Sequence, residues 1–140
     1  MAVKQTFLDT LFVIALINRR DQYHEQADGI ASLYDGQSLI TTDAILLEIG
    51  NAMARAFKPE AAQVIEDLLT SEDVQVVRLT PELFERAFVL YKSRPDKEWG
   101  LVDCISFVLM QDAGATDALT FDRHFEQAGF RALMRDQASA

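Results

Sequence analysis

The sequence predicts an α/β fold, a three-layer α/β/α sandwich around a mainly parallel sheet of about four or five short strands. Two observations carry the prediction. Short apolar or β-branched runs ("VKQTFLDT", "QSLITT", "VQVVRL", "DALTF") alternate along the chain with longer runs whose apolar residues recur at helical spacing. Strands that alternate with helices take right-handed crossovers, which lays the strands parallel and covers both faces of the sheet.

The elements follow in order. "VKQTFLDT" begins as a strand and ends at Asp9-Thr10, after which "LFVIALINRR" and "YHEQADGIASLYDG" read as two helices, the second closed by Asp35-Gly36. "QSLITT" is the next strand. In "DAILLEIGNAMARAF" the apolar positions 45, 46, 49, 52, 53 and 56 have helical spacing. Pro59 opens the helix "PEAAQVIEDLLTS", since the first turn needs no N–H from it. "VQVVRL" is a strand, and Thr80-Pro81 then caps and starts "TPELFERAFVLYKSR". A helix starting near Trp99 contains "GLVDCISFVLMQ"; "DALTF" is a strand, "DRHFEQAG" a short helical turn, and "FRALM" a last strand.

The bulk numbers bound the answer. With 140 residues, 49% of them hydrophobic, residues 1–140 are expected to form a single domain. Such a chain buries roughly two thirds of its unfolded surface. The small polar segment "DQASA", about residues 136–140, is expected to be a disordered tail. "FLDTLFVIALI" contains Asp9 and precedes rather than follows Arg19 and Arg20, the wrong order for a secretory signal, and is too short to span a bilayer. A soluble, cytoplasmic protein is expected. Cys104 is the single cysteine, so no internal disulfide can form, and its setting in "VDCISF" reads as a small buried apolar residue. The net charge of −9 disfavours a nucleic-acid partner held by Lys and Arg alone. An acidic cluster can still bind nucleic acid through divalent ions.

Four carboxylates stand out from the solvated ones. In a parallel sheet each helix begins near the carboxyl edge of the preceding strand, where ligands bind. Asp9 follows the first strand and Asp122 follows "ALTF" in the same way. Glu48 lies about two turns into the helix after "SLITT", and Asp103 about one turn into its own; neither has a cation three or four places away. Each has a plain structural explanation: Asp9 and Asp122 can cap the helices they precede, Glu48 can accept from Arg55, and Asp103 can be a satisfied buried acid. Four such coincidences at one edge are needed to dismiss the cluster. By contrast Asp21, Glu25, Glu60, Glu66, Glu72, Glu82, Glu85, Glu98 and Glu126 sit in polar stretches or first helical turns, where solvation or the helix dipole accounts for them.

Two like charges ~4 Å apart repel by about 4 kcal/mol at an effective dielectric near 20, so a bare cluster takes up protons or demands a counter-charge. Mg²⁺ or Mn²⁺, with oxygen ligands, answers that demand. Zinc does not fit, because His24 and His124 are far apart in sequence, Cys104 reads as buried and His124 reads as an exposed helix residue. A carboxylate-held divalent ion suits phosphodiester hydrolysis, where it polarises the phosphate, activates water and stabilises the leaving oxygen.

The order "FLDT", "LLEIGNA", "GLVDCISF", "ALTFDRHF" resembles the PIN-domain ribonucleases, and in size and layout the VapC-like toxins of bacterial toxin–antitoxin modules, over about residues 5–133. The resemblance implies an endoribonuclease that cuts single-stranded RNA with Mg²⁺ or Mn²⁺. It implies Asp9, Glu48, Asp103 and Asp122 as metal ligands and catalytic residues, with Thr120 and Asn51 as polar residues supporting them. It also implies a homodimer and a cognate antitoxin whose tail enters the active-site groove. The chain departs from the family at two places: Gly100 stands where members often carry a hydroxyl, three residues before the third acid, and Leu11 stands where an Asn is common. Arg19, Arg20, Arg55, Lys58 and Arg123 are candidate RNA-backbone contacts.

A haloacid-dehalogenase-type phosphatase needs a second Asp where Leu11 stands, and a phosphoacceptor receiver domain needs a Lys after the last strand, where only Arg131 and Arg135 occur. The remaining alternative is a PIN-like protein-binding or regulatory module without nuclease activity.

Overall fold

In the computed structural model, residues 4–138 are described, the side chains of 136–138 excepted. The chain runs through β1 (Thr6–Leu8), α1 (Thr10–Ile17), α2 (His24–Tyr34), β2 (Leu39–Thr42), α3 (Asp43–Ala52), α4 (Lys58–Thr70) and β3 (Val74–Val77). It continues through α5 (Pro81–Ser93), α6 (Leu101–Ala113), β4 (Asp117–Leu119), α7 (Arg123–Gln127), β5 (Arg131–Ala132) and α8 (Leu133–Ala138). The strands form one sheet in the order β3-β2-β1-β4-β5 with every pairing parallel. This is the α/β architecture expected from the sequence, with five strands.

β1 is central, and its Phe7 and Leu8 are buried, as are Ala118 and Leu119 of the adjoining β4. A strand covered on both faces has no polar side to show, which is why these strands read as apolar runs rather than alternations. α6 supplies the densest core contribution: Cys104 through Met110 are all buried, and Phe107 makes edge-on contacts with Trp99 and Phe125. Cys104 is the small core residue its sequence setting implies. It is fully buried, and burial pushes its thiol up to about 11, which keeps it unreactive.

Helix starts follow the local chemistry. Thr42 accepts from Ile45 N to cap α3, and Thr80 accepts from Leu83 N to cap α5, with Pro81 in the first turn. Two boundaries differ from expectation. The apolar spacing of 45–56 implies a longer helix, but α3 stops at Ala52. Pro59 has no N–H to give and its ring collides with the carbonyl four residues back. Pro59 therefore keeps α3 from running on into α4, while α3 itself closes at Met53, whose N–H bonds to Ile49 O, and Phe57 takes a left-handed φ of 66° before α4 begins. The last strand is only Arg131–Ala132, because Leu133 and Met134 turn into α8, where both are buried. Met134 N–H then donates to Thr120 O, bracing the end of β4. Of the segment read as a disordered tail, α8 extends to Ala138 and residues 139–140 lie outside the described residues. Among the described residues no helix is long and apolar enough to cross a membrane.

Candidate metal centre

The carboxyl edge of β1 and β4 builds the site. The register pairs Leu8 with Leu119, so the next residues, Asp9 and Thr120, leave the sheet side by side, with Asp9 N still bonded to Leu119 O at 3.3 Å. Thr120 Oγ1 donates to Asp9 Oδ2 at 2.7 Å and accepts from Asp122 N at 3.0 Å. One buried hydroxyl therefore ties the first acid to the backbone of the last.

Asp9 is in the N-cap position of α1, yet its side chain makes no capping bond of the N-cap type, so capping does not explain it. Asp122 does cap: its Oδ1 accepts from His124 N at 2.9 Å. Asp103, in the first turn of α6, accepts from Gly100 N through Oδ2 at 3.0 Å. Gly100 is the N-cap residue of that helix and has no hydroxyl to offer, so the Asp103 carboxylate supplies the side-chain half of the cap. Glu48 accepts from Thr10 Oγ1 through Oε1 at 2.6 Å; Thr10, not Arg55, is its partner.

The four acids line one open cleft of about 550 Å³, together with Thr10, Leu11, Asn51 and Ala52. The structure thus brings together all four carboxylates singled out in the sequence, from four separate segments. Thr120 touches Asp9 as expected of a supporting residue. Asn51 is exposed on the cleft wall, and among the described residues its side chain bonds to none of the acids. Leu11, where the family often has Asn, makes part of that wall apolar.

The electrostatics are those of a site short of positive charge. Asp9 is only 5% exposed. Burial pushes its carboxyl from 3.8 up to about 7, with the charges of Asp103 and Asp122 adding to the rise and the bonds from Thr120 and Thr10 N–H opposing it. Asp103 is also raised, first by burial and then by Asp122, against the Gly100 N–H and His124. Among the described residues no Lys or Arg forms a salt bridge with any of the four acids. The hydrogen bonds to Glu48, Asp103 and Asp122 each engage a single oxygen, which leaves the other for a ligand. An all-oxygen donor set on a partly dry cleft with unmet demand for positive charge fits a hard divalent cation.

The sequence reading missed His124. It is not an exposed helix residue: its side chain is 21% exposed, and Nδ1 stands 3.3 Å from Asp103 Oδ2 and 3.4 Å from Asp122 Oδ1. The signal was its place two residues after Asp122 at the start of a helix, where both side chains can turn to the same edge. His24 is elsewhere, its Nδ1 bonded to Ala15 O at 2.8 Å.

The candidate RNA contacts Arg19, Arg20, Arg55, Lys58 and Arg123 are all exposed. Arg123 adjoins Asp122 and His124, and Arg55 and Lys58 follow the cleft-lining end of α3. Arg19 and Arg20 lie in the turn after α1, and neither lines the cleft among the described residues.

Residues 6–131 match the PIN domain family. Over 124 residues the chain is 30% identical to the 23S rRNA-specific endonuclease VapC20 of Mycobacterium tuberculosis, in both the CDC 1551 / Oshkosh and the ATCC 25618 / H37Rv strains; the match covers 89% of this chain and 94% of the relative. The fold is similar to the crystal structure of Mycobacterium tuberculosis VapC20, described as a sarcin-ricin loop cleaving toxin. The TM-score is 0.81 at 28% identity, covering 91% of this chain and 98% of that one.

Proposed function

The chain belongs to the PIN domain family and is VapC-like, and on that premise we propose that it is a Mg²⁺- or Mn²⁺-dependent endoribonuclease acting on single-stranded RNA, the toxin of a toxin–antitoxin pair. The observation that carries the reading is the convergence of Asp9, Glu48, Asp103 and Asp122 on one cleft without a salt-bridging Lys or Arg among the described residues. A chain that kept the fold only as a binding module would have no use for a carboxylate that burial, with the charges of Asp103 and Asp122 adding to it, pushes up to about 7.

The divalent ion, when bound, supplies the positive charge that admits a phosphate to an acidic cleft and activates water for attack. The chain does the rest. Asp9, Asp103, Glu48 and Asp122 are the ligands and catalytic residues. Thr120 fixes Asp9, Thr10 fixes Glu48, and the N–H groups of Gly100 and His124 fix Asp103 and Asp122, so the ligands are aimed before any ion arrives. Arg123, next to Asp122 in the chain, and Arg55 and Lys58, just past the cleft-lining end of α3, are the candidates to take RNA phosphates. An acidic groove of this size also fits a cationic antitoxin tail.

A homodimer belongs to the same reading, and the outward face of α5 supports it. Phe84, Phe88, Val89 and Tyr91 are 41%, 41%, 61% and 46% exposed there, an apolar stripe costly to leave in water. Glu85 and Lys92 flank it, seven places apart. Two α5 helices crossing antiparallel about a two-fold near Phe88 bring Glu85 of each copy against Lys92 of the other, so the face is self-complementary.

The test is incubation of the purified protein with a panel of RNA oligonucleotides that includes a sarcin-ricin loop hairpin, with Mg²⁺, Mn²⁺ or chelator. Internal cuts that need a divalent ion support the nuclease. Failure to cut any RNA while ions still bind favours the binding module.

A further inference from the structure

His124 borders Asp103 and Asp122 just outside the cleft that the four acids line, and a centre built on those acids alone gives its ring no role. It is the second residue of α7, a helix anchored by the fully buried Phe125 and capped by Asp122, so the ring is held rather than free to swing. One ligand atom each from Asp103, Asp122 and His124 lies within 4.8 Å of the other two. In an octahedral site with bonds near 2.1 Å, adjacent donors stand about 3.0 Å apart and opposite ones about 4.2 Å. In the metal-free protein Nδ1 shares a proton with Asp103 Oδ2 at 3.3 Å and stands 3.4 Å from Asp122 Oδ1, close to the spacing of adjacent donors, so a bound ion would take the place of that proton.

We infer that His124 is a metal ligand through Nδ1, and that this nitrogen makes the centre select Mn²⁺ over Mg²⁺. The inference rests on the proposed metal centre and adds to it. Mg²⁺ prefers oxygen donors and gives up its waters reluctantly, whereas imidazole suits the first-row transition ions. Carboxylates alone offer both ions the same hard oxygens; a single imidazole breaks the tie. A neighbouring acid on each side keeps the ion in place while the nitrogen sets its identity.

The experiment uses the full chain, freed of metal and titrated calorimetrically with Mn²⁺ and with Mg²⁺, as wild type and as His124→Asn. The Mn²⁺-loaded protein is also examined by pulsed electron paramagnetic resonance for ¹⁴N coupling from a coordinated imidazole. Asparagine keeps a polar group near the ring Nδ1 position, so the bonds to the acids can persist without the imidazole. The wild type is expected to show the nitrogen coupling. The variant is expected to lose it, with Mn²⁺ affinity falling roughly tenfold or more and Mg²⁺ affinity little changed. If His124→Asn does not fold, His24→Asn leaves His124 as the sole imidazole of a chain with two histidines, and the coupling must survive in it. Binding of both ions with no nitrogen coupling, or with an unchanged preference in the variant, overturns the role of His124 and leaves the metal centre standing. Binding of neither ion to the wild type overturns both.

Discussion

Thr120 Oγ1 donates to Asp9 Oδ2 at 2.7 Å, across 111 residues of sequence and between neighbouring strand ends of the sheet. The same oxygen accepts from Asp122 N, so both of its bonds serve the acidic cluster. A buried bond to a charged group contributes about 1.5–3 kcal/mol. Thr120→Val is isosteric and removes it: stability in denaturant titration should fall by about that amount, and divalent-ion affinity by roughly 10–100-fold. Thr120→Ser should restore most of both. Unchanged ion affinity in Thr120→Val would show that Asp9 needs no such positioning.

The raised carboxyl of Asp9 makes the stability of the metal-free protein depend on pH in a definite direction. Its ordinary value of 3.8 applies in the unfolded chain and about 7 in the folded one. Between those values the folded state binds more protons, so stability falls as pH rises through that window, by on the order of 4 kcal/mol. Asp9→Asn should flatten much of this loss and be the more stable protein at pH 8 without metal, while losing ion-induced stabilisation. Melting curves across pH, with and without Mg²⁺, check both parts; an equally steep decline in the variant contradicts the assignment to Asp9.

Gly100 is an N-cap residue with φ of −74°, a conformation open to any residue, and a Cβ there would meet Asp103 Oδ2 at an ordinary 3.8 Å. Gly100→Ser should therefore fit, add a capping oxygen and reduce unfolded-state freedom. A gain of roughly 0.5 kcal/mol in chemical denaturation is expected. A loss of stability would mean that the serine hydroxyl competes with the Asp103 carboxylate for the helix end.

Phe88→Glu places a charge at the centre of the exposed α5 stripe, away from the cleft. Analytical ultracentrifugation should find a dimer for the wild type and a folded monomer for the variant. Restoration of the dimer when Glu85→Lys and Lys92→Glu are mixed as separate single variants would identify the antiparallel contact. A dimer that survives Phe88→Glu lies on another face.

The fold was largely legible because its signals are local: strands buried on both faces are apolar runs, and Thr80-Pro81 or Pro59 mark helix starts by their own chemistry. Asp9 and Asp122 were legible for a related reason, since an Asp that follows a strand emerges at the carboxyl edge, and Glu48 and Asp103 stood out as helix acids with no cation three or four places away. What failed was whatever depends on side-chain aim. Asn51 shares a helix with Glu48, yet among the described residues its side chain bonds to none of the acids. His124 reads in the sequence as an exposed residue of a short helix because nothing local fixes which way its ring turns, and only the fold sets it against Asp103 and Asp122. The overlong reading of α3 has the opposite cause: apolar periodicity continues through Met53, which is buried though outside the helix.

The most direct test of the account is cleavage of end-labelled single-stranded RNA by the wild type and by folded Asp9→Asn and Asp103→Asn variants, with Mg²⁺, with Mn²⁺ and with chelator. The account predicts internal cutting that requires a divalent ion and that each substitution abolishes. Cutting that persists in chelator, or in both variants, would contradict a catalytic centre built on these carboxylates.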